Sequence, residues 1–102
     1  MVELDQARVV YSFLKGSFEN SGYSVFMGGS TLVYGQGNDL DILFLRKADR
    51  ALSPKAVLDR LEGMGFEATI IEQEENEFGF MGMLNGVLVD ILVLGWTGKE
   101  KI

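Results

Sequence analysis

A chain of 102 residues with a net charge of −6, no cysteine and no histidine leaves few chemistries open. Disulfide frameworks, thiolate metal centres, histidine general bases and most zinc sites are excluded, so any reaction must rest on carboxylates, hydroxyls, lysines or arginines. The acidic balance disfavours a broad nucleic-acid footprint, and the length fits one domain over residues 1–102.

In chain order, Leu4, Ala7, Val10, Tyr11, Leu14 and Phe18 recur at helical spacing and predict an amphipathic helix over residues 3–19. Asn20-Ser21-Gly22 ends it, and Tyr23 to Met27 reads as a short apolar strand. Gly28-Gly29-Ser30 breaks that strand, residues 31–34 suit one helical turn, and residues 35–38 read as a loop. Asp39 to Arg46 is a second strand. Ser53 is a suitable N-cap with Pro54 at the first helical position, and Val57, Leu58, Leu61 and Met64 give the next helix its buried stripe. Gly63 and Gly65 close that helix. Phe66 to Ile71 is a third strand, and the acidic run Glu72 to Glu77 reads as a solvated loop. Phe78–Leu84 and Val87–Leu94 are two strands joined at Asn85-Gly86, both of which tolerate positive φ. The tail from Gly95 is expected to fray, with Trp96 docking on the body. The order implies an α+β fold, a mixed sheet of about five strands with helices packed on one face.

Three aspartates stand out. Strand side chains alternate, so in Asp39-Leu40-Asp41-Ile42 the two acids share one side and the apolar residues the other. Like charges so placed repel unless a cation lies between them, although a turn end and a solvated strand end would also account for the pair. Asp90 sits inside Val87–Leu94, where both faces are otherwise apolar, as in a central strand. It calls for protonation, a hydrogen-bonding loop or a metal. Gly28-Gly29-Ser30 after a strand is either a tight turn or a place where backbone N–H groups and the Ser30 hydroxyl meet a phosphate at the start of a helical turn. It is not a P-loop, because no Gly-Lys-Ser/Thr follows.

Met27-Gly28-Gly29, nine residues, then Asp39-Leu40-Asp41-Ile42, with Asp90 on a later strand, resembles the signature of the nucleotidyltransferase superfamily (the DNA polymerase β-like fold). The resemblance covers residues 22–95. It implies that Gly28, Gly29 and Ser30 bind the nucleotide, with Gly29 and Ser30 on the β- and γ-phosphates. Asp39, Asp41 and Asp90 would be both the catalytic residues and the ligands of two Mg2+ ions, with Mn2+ an acceptable substitute. The implied function is transfer of a nucleoside monophosphate from a nucleoside triphosphate, ATP being the expected donor, to a hydroxyl on a protein, RNA or small molecule. The alternative is a catalytically degenerate nucleotidyltransferase-fold module that binds or regulates a partner, antitoxin-like.

Where many small members of that family carry an arginine and a serine, Thr31 to Asn38 carries no basic residue; Lys15, Arg46 and Lys47 are the candidates to compensate. The chain ends almost at the core, so the expectation is a minimal catalytic module that borrows its acceptor site from a protein partner or a second copy. Tyr34, Phe80 and Trp96 are candidates to stack a base or to pack the core or an interface, and Met27, Met64, Met81 and Met83 read as core fillers. Neither a signal peptide nor a membrane span is expected, because Met1 to Asp5 has no basic or apolar lead and Val87–Leu94 is too short and is interrupted by Asp90. A cytoplasmic location is expected.

Overall fold

The structure, a computed structural model, describes residues 1–96; the expected fraying of the tail falls mostly on residues outside this range. The first helix, α1 (Leu4–Phe18), forms where the apolar spacing predicts it and buries Ala7, Val10, Leu14 and Phe18. Glu3 caps it reciprocally with Gln6: the Glu3 N–H donates to Gln6 Oε1 at 3.0 Å. A short 3-10 turn, Glu19–Ser21, leads into β2 (Tyr23–Gly28), numbered after β1 (Val2–Glu3) at the N-terminus. Helix α2 (Gly29–Tyr34) begins two residues before the expected turn. Strand β3 (Gln36–Gly37) lies in the expected loop and pairs antiparallel with β1, a ladder too short to leave a pattern in the sequence.

Strand β4 (Leu40–Arg46) is followed by α3 (Pro54–Gly63), whose N-cap Ser53 accepts from the Ala56 N–H at 3.2 Å. The remaining strands are β5 (Glu67–Gln73), β6 (Glu77–Leu84) and β7 (Val87–Leu94). Asn85 and Gly86, at φ of 52° and 76°, turn β6 into β7. Strand β5 extends two residues into the acidic run because Glu72 and Gln73 pair with Gly79 and Phe78. It is an edge strand, so it tolerates polar side chains.

The five-stranded sheet has the order β2-β4-β7-β6-β5. Only β4 and β7 run parallel; every other pair is antiparallel. This is a mixed α+β arrangement, and β7 occupies the central place its two apolar faces suggest. On one face Val25, Ile42, Phe44, Phe80, Ile91 and Val93 join the buried stripes of α1 and α3 in one core. Phe44 anchors it, with its ring centroid 4.8 Å from Phe18 and 5.9 Å from Tyr23. Fully burying a side chain of this kind contributes roughly 1.5–3 kcal/mol. Both edges are guarded. On β2, Tyr11 Oη donates to the Val25 carbonyl at 3.0 Å and the Val25 N–H donates to Glu19 Oε2 at 3.1 Å. On β5, Glu67, Glu72 and an irregularity between Ala68 and Ile70 blunt the edge. Among the described residues, no helix is long and apolar enough to cross a membrane.

Candidate metal and nucleotide site

Sheet register brings the acids together. Gly28 pairs with Asp41, and Asp41 pairs with Asp90, so the end of β2 and the two aspartates form one row across β2, β4 and β7. Paired residues share a face, and this row lies opposite the helix-covered core. Asp39, just before β4, has the same parity as Asp41. One carboxylate oxygen from each of Asp39, Asp41 and Asp90 lies within 4.8 Å of the others, and all three residues are half-buried. Asp90 is therefore not sealed in the core: its strand is central, but its face is open.

The electrostatics follow from this placement. Partial burial raises the Asp41 carboxyl above its ordinary value, and the charges of Asp39 and Asp90 push it further. Asp90 is raised by partial burial first, then by Asp39 and Glu72. No lysine or arginine makes an ion pair with any of these three acids among the described residues. A row of hard oxygen donors with no protein cation is a donor set suited to a divalent cation such as magnesium.

The glycine turn is shaped around this cluster. Gly29 sits at φ +80°, and a Cβ built there would lie 1.9 Å from Asp41 Oδ2. A side chain at this position would be strained and would displace the carboxylate. Gly28, in extended conformation, precedes α2, and Ser30 is exposed on its first turn. Thr31, fully buried, donates from Oγ1 to the Asp39 carbonyl at 2.7 Å and ties α2 to the acidic loop. Gly37 lets the chain pass close by: a Cβ there would lie 2.5 Å from Ser30 Oγ and 2.7 Å from Thr31 Oγ1. All six expected site residues thus gather around the Gly28–Asp41–Asp90 row, at the end of β2, the start of β4 and the middle of β7.

For several other residues the structure decides between the alternatives, and it corrects two of the methionines. Phe80 is fully buried and Trp96 nearly so. The Trp96 Nε1–H donates to Tyr23 Oη at 2.8 Å and its ring lies 3.9 Å from the Arg46 guanidinium, so neither residue can stack a base. Tyr34 is 78% exposed at the end of α2. Met27 and Met64 pack on the core, but Met81 and Met83 share the open face with Asp90, as their register with Asp90 and Leu88 requires. The compensating cations are spoken for. Lys15 and Lys47 face Glu19, and Arg46 donates to the carbonyls of Ala48, Asp49 and Gly95. At about 3.3 Å per strand residue, Arg46 lies roughly 17 Å along β4 from Asp41.

Sequence reasoning missed Thr31 and Gly37, which position the loop, and Glu72, whose charge reaches Asp90. Continuing the strand parity of β5 by two residues would have found Glu72. A groove of about 610 Å³ opens beside the acids, lined by Phe26, Leu43, Leu92 and Leu94 as well as Gly28, Asp41, Asp90 and Glu72. No known protein-family model matches the chain, and no curated protein matches it.

Proposed function

We propose that this chain is a nucleotidyltransferase of the polymerase β-like fold, moving a nucleoside monophosphate from a nucleoside triphosphate, ATP by expectation, to a hydroxyl acceptor. The observation that carries the reading is the meeting of Asp39, Asp41 and Asp90 within 4.8 Å of one another beside a glycine turn that a single Cβ would push into Asp41. The donor set fits magnesium, with Mn2+ as a substitute: three carboxylates, hard oxygens only, half open to solvent so that water and phosphate can complete the shell. Magnesium held there would neutralise triphosphate charge and ease deprotonation of the acceptor.

The chain's own residues do the rest. The exposed Gly29 backbone and Ser30 hydroxyl orient the phosphates, and Gly28 keeps the strand end clear. The acceptor oxygen bonds to the α-phosphorus, the bond from that phosphorus to the bridging oxygen breaks, and pyrophosphate leaves. The acceptor proton passes to a carboxylate oxygen of Asp90, which the sheet register sets beside Asp41. Incubation with α-labelled nucleoside triphosphates, magnesium and cell lysate should yield a labelled acceptor that an Asp39→Asn/Asp41→Asn variant fails to label. Equal labelling by that variant would defeat the proposal.

A second reading is favoured by one observation: the three cations expected to compensate for the bare glycine turn, Lys15, Arg46 and Lys47, are engaged elsewhere. On that reading the fold is kept as a binding or regulatory module, and metal binds without turnover. It predicts magnesium-dependent stabilisation with no labelled product from any of the four nucleotides.

A further inference from the structure

The helix-covered face of the sheet has its core. The other face has none. Phe26 is 47% and Ile70 46% exposed there, and Leu45 and Met83 are also exposed. In register, Phe26, Leu43, Leu92, Gly79 and Glu72 form one row that crosses all five strands. Gly79 contributes no side chain, so the row is a trough, and it coincides with the 610 Å³ groove. At about 4.8 Å per strand spacing the trough is roughly 19 Å long, the rise of about 13 helical residues. The flanking rows, Asp41–Asp90 and Leu45–Leu94, stand four residues apart along the strands, about 13 Å, against a helix diameter of about 10–12 Å.

Charge decides what fits. Asp41 and Asp90 lie along one margin, and Glu72 and Glu77 at the β5–β6 end, with Glu74 beside them. The five strands contain one basic residue, Arg46, and it is folded onto Trp96. A second copy of this chain would bring acid against acid, and RNA would bring phosphate against acid. An apolar floor with acidic margins, lined by no cation among the described residues, complements an apolar stripe flanked by cations. We infer that the open face docks an amphipathic helix of another protein, its apolar stripe lying over Leu43 and Leu92 and its flanking lysines or arginines meeting Glu72 and Glu77, clear of the aspartate row. This is the helix-in-groove mode of recognition. It does not require the proposed reaction, so either can fail alone.

The test uses the full chain, methyl-labelled for NMR, and three probes: a synthetic amphipathic helix with leucines on one stripe and lysines beside it, the same helix with glutamates in place of the lysines, and a short single-stranded RNA. The lysine-flanked helix should shift the methyls of Leu43, Leu92 and Leu94 saturably and bind at least about tenfold tighter than the glutamate-flanked one. Leu92→Glu should abolish binding. Should Leu92→Glu not fold, the double change Glu72→Lys/Glu74→Lys, at two exposed positions, serves instead and should reverse the preference between the two helices. The inference is overturned if the lysine-flanked helix leaves these methyls unmoved, if both helices bind alike, if the RNA shifts the same methyls, or if sedimentation shows the chain pairing with itself through this face.

Discussion

Replacing Asp41 with asparagine should have opposite effects on stability with and without magnesium. One oxygen of Asp41 lies within 4.8 Å of an oxygen of Asp39 and of Asp90. At that distance two unit charges repel by about 0.9 kcal/mol in bulk water and about 3.5 kcal/mol at the effective dielectric of a protein surface. The three residues are half open to solvent, so the lower end applies, and loss of both pairs amounts to roughly 1–2 kcal/mol once salt screening is allowed for. Asparagine keeps the shape and removes the charge. In EDTA the variant should therefore melt higher than the wild type, by roughly 4–10 °C for a chain of this size. Magnesium at tenfold its dissociation constant should raise the wild type by about 1.4 kcal/mol and the variant by far less, so that the order of the two melting temperatures narrows or inverts. Differential scanning fluorimetry in the two buffers reads this directly. If Asp41→Asn melts lower than the wild type in EDTA, or if both respond equally to magnesium, the repulsive cluster is not there.

Gly29→Ala should destabilise by about 1–2 kcal/mol from its positive φ alone, and by displacing Asp41 it should also remove the magnesium response; urea unfolding with and without magnesium checks both. The pH dependence follows from the raised pKa of Asp90. Its folded form binds the proton more tightly than its unfolded form, so its contribution is most favourable below the ordinary carboxylate range and is lost as pH rises through the folded value. Without metal, the wild type should therefore lose stability relative to Asp90→Asn as pH rises above the ordinary carboxylate range, read as the difference in melting temperature across that rise. Tyr23→Phe removes the hydroxyl that accepts from Trp96 Nε1 and donates to the Leu52 carbonyl; leaving these buried groups unsatisfied should cost about 1–3 kcal/mol by urea unfolding, with the magnesium response unchanged.

Where local chemistry dictated the structure, the sequence was readable. Asn85-Gly86 signals a two-residue hairpin, Ser53-Pro54 suits a helix start, and Asp39-x-Asp41 places two acids on one side of any strand that holds them. Asp90 announced itself by standing alone in an apolar strand. What was not readable depends on partners distant in sequence. Nothing local tells Gln36–Gly37 to pair with Val2–Glu3. Glu72 and Gln73 look like loop until β6 lies beside them. The fit between Gly29 and Asp41 exists only because β2 pairs antiparallel with β4 in the register that sets Gly28 beside Asp41. Met81 and Met83 misled because methionine suits a core and an open groove equally. Their exposure follows from which face the helices leave bare.

Paramagnetic broadening by Mn2+ in the presence of a non-hydrolysable ATP analogue probes the site most directly. At substoichiometric Mn2+ the amide signals of Gly29, Ser30, Asp41 and Asp90 should broaden first and together, and should recover on addition of excess Mg2+. Broadening centred instead on Glu72, Glu74 and Glu77, or spread evenly over the acidic surface, would contradict a built site for metal and triphosphate beside the Gly28–Asp41–Asp90 row.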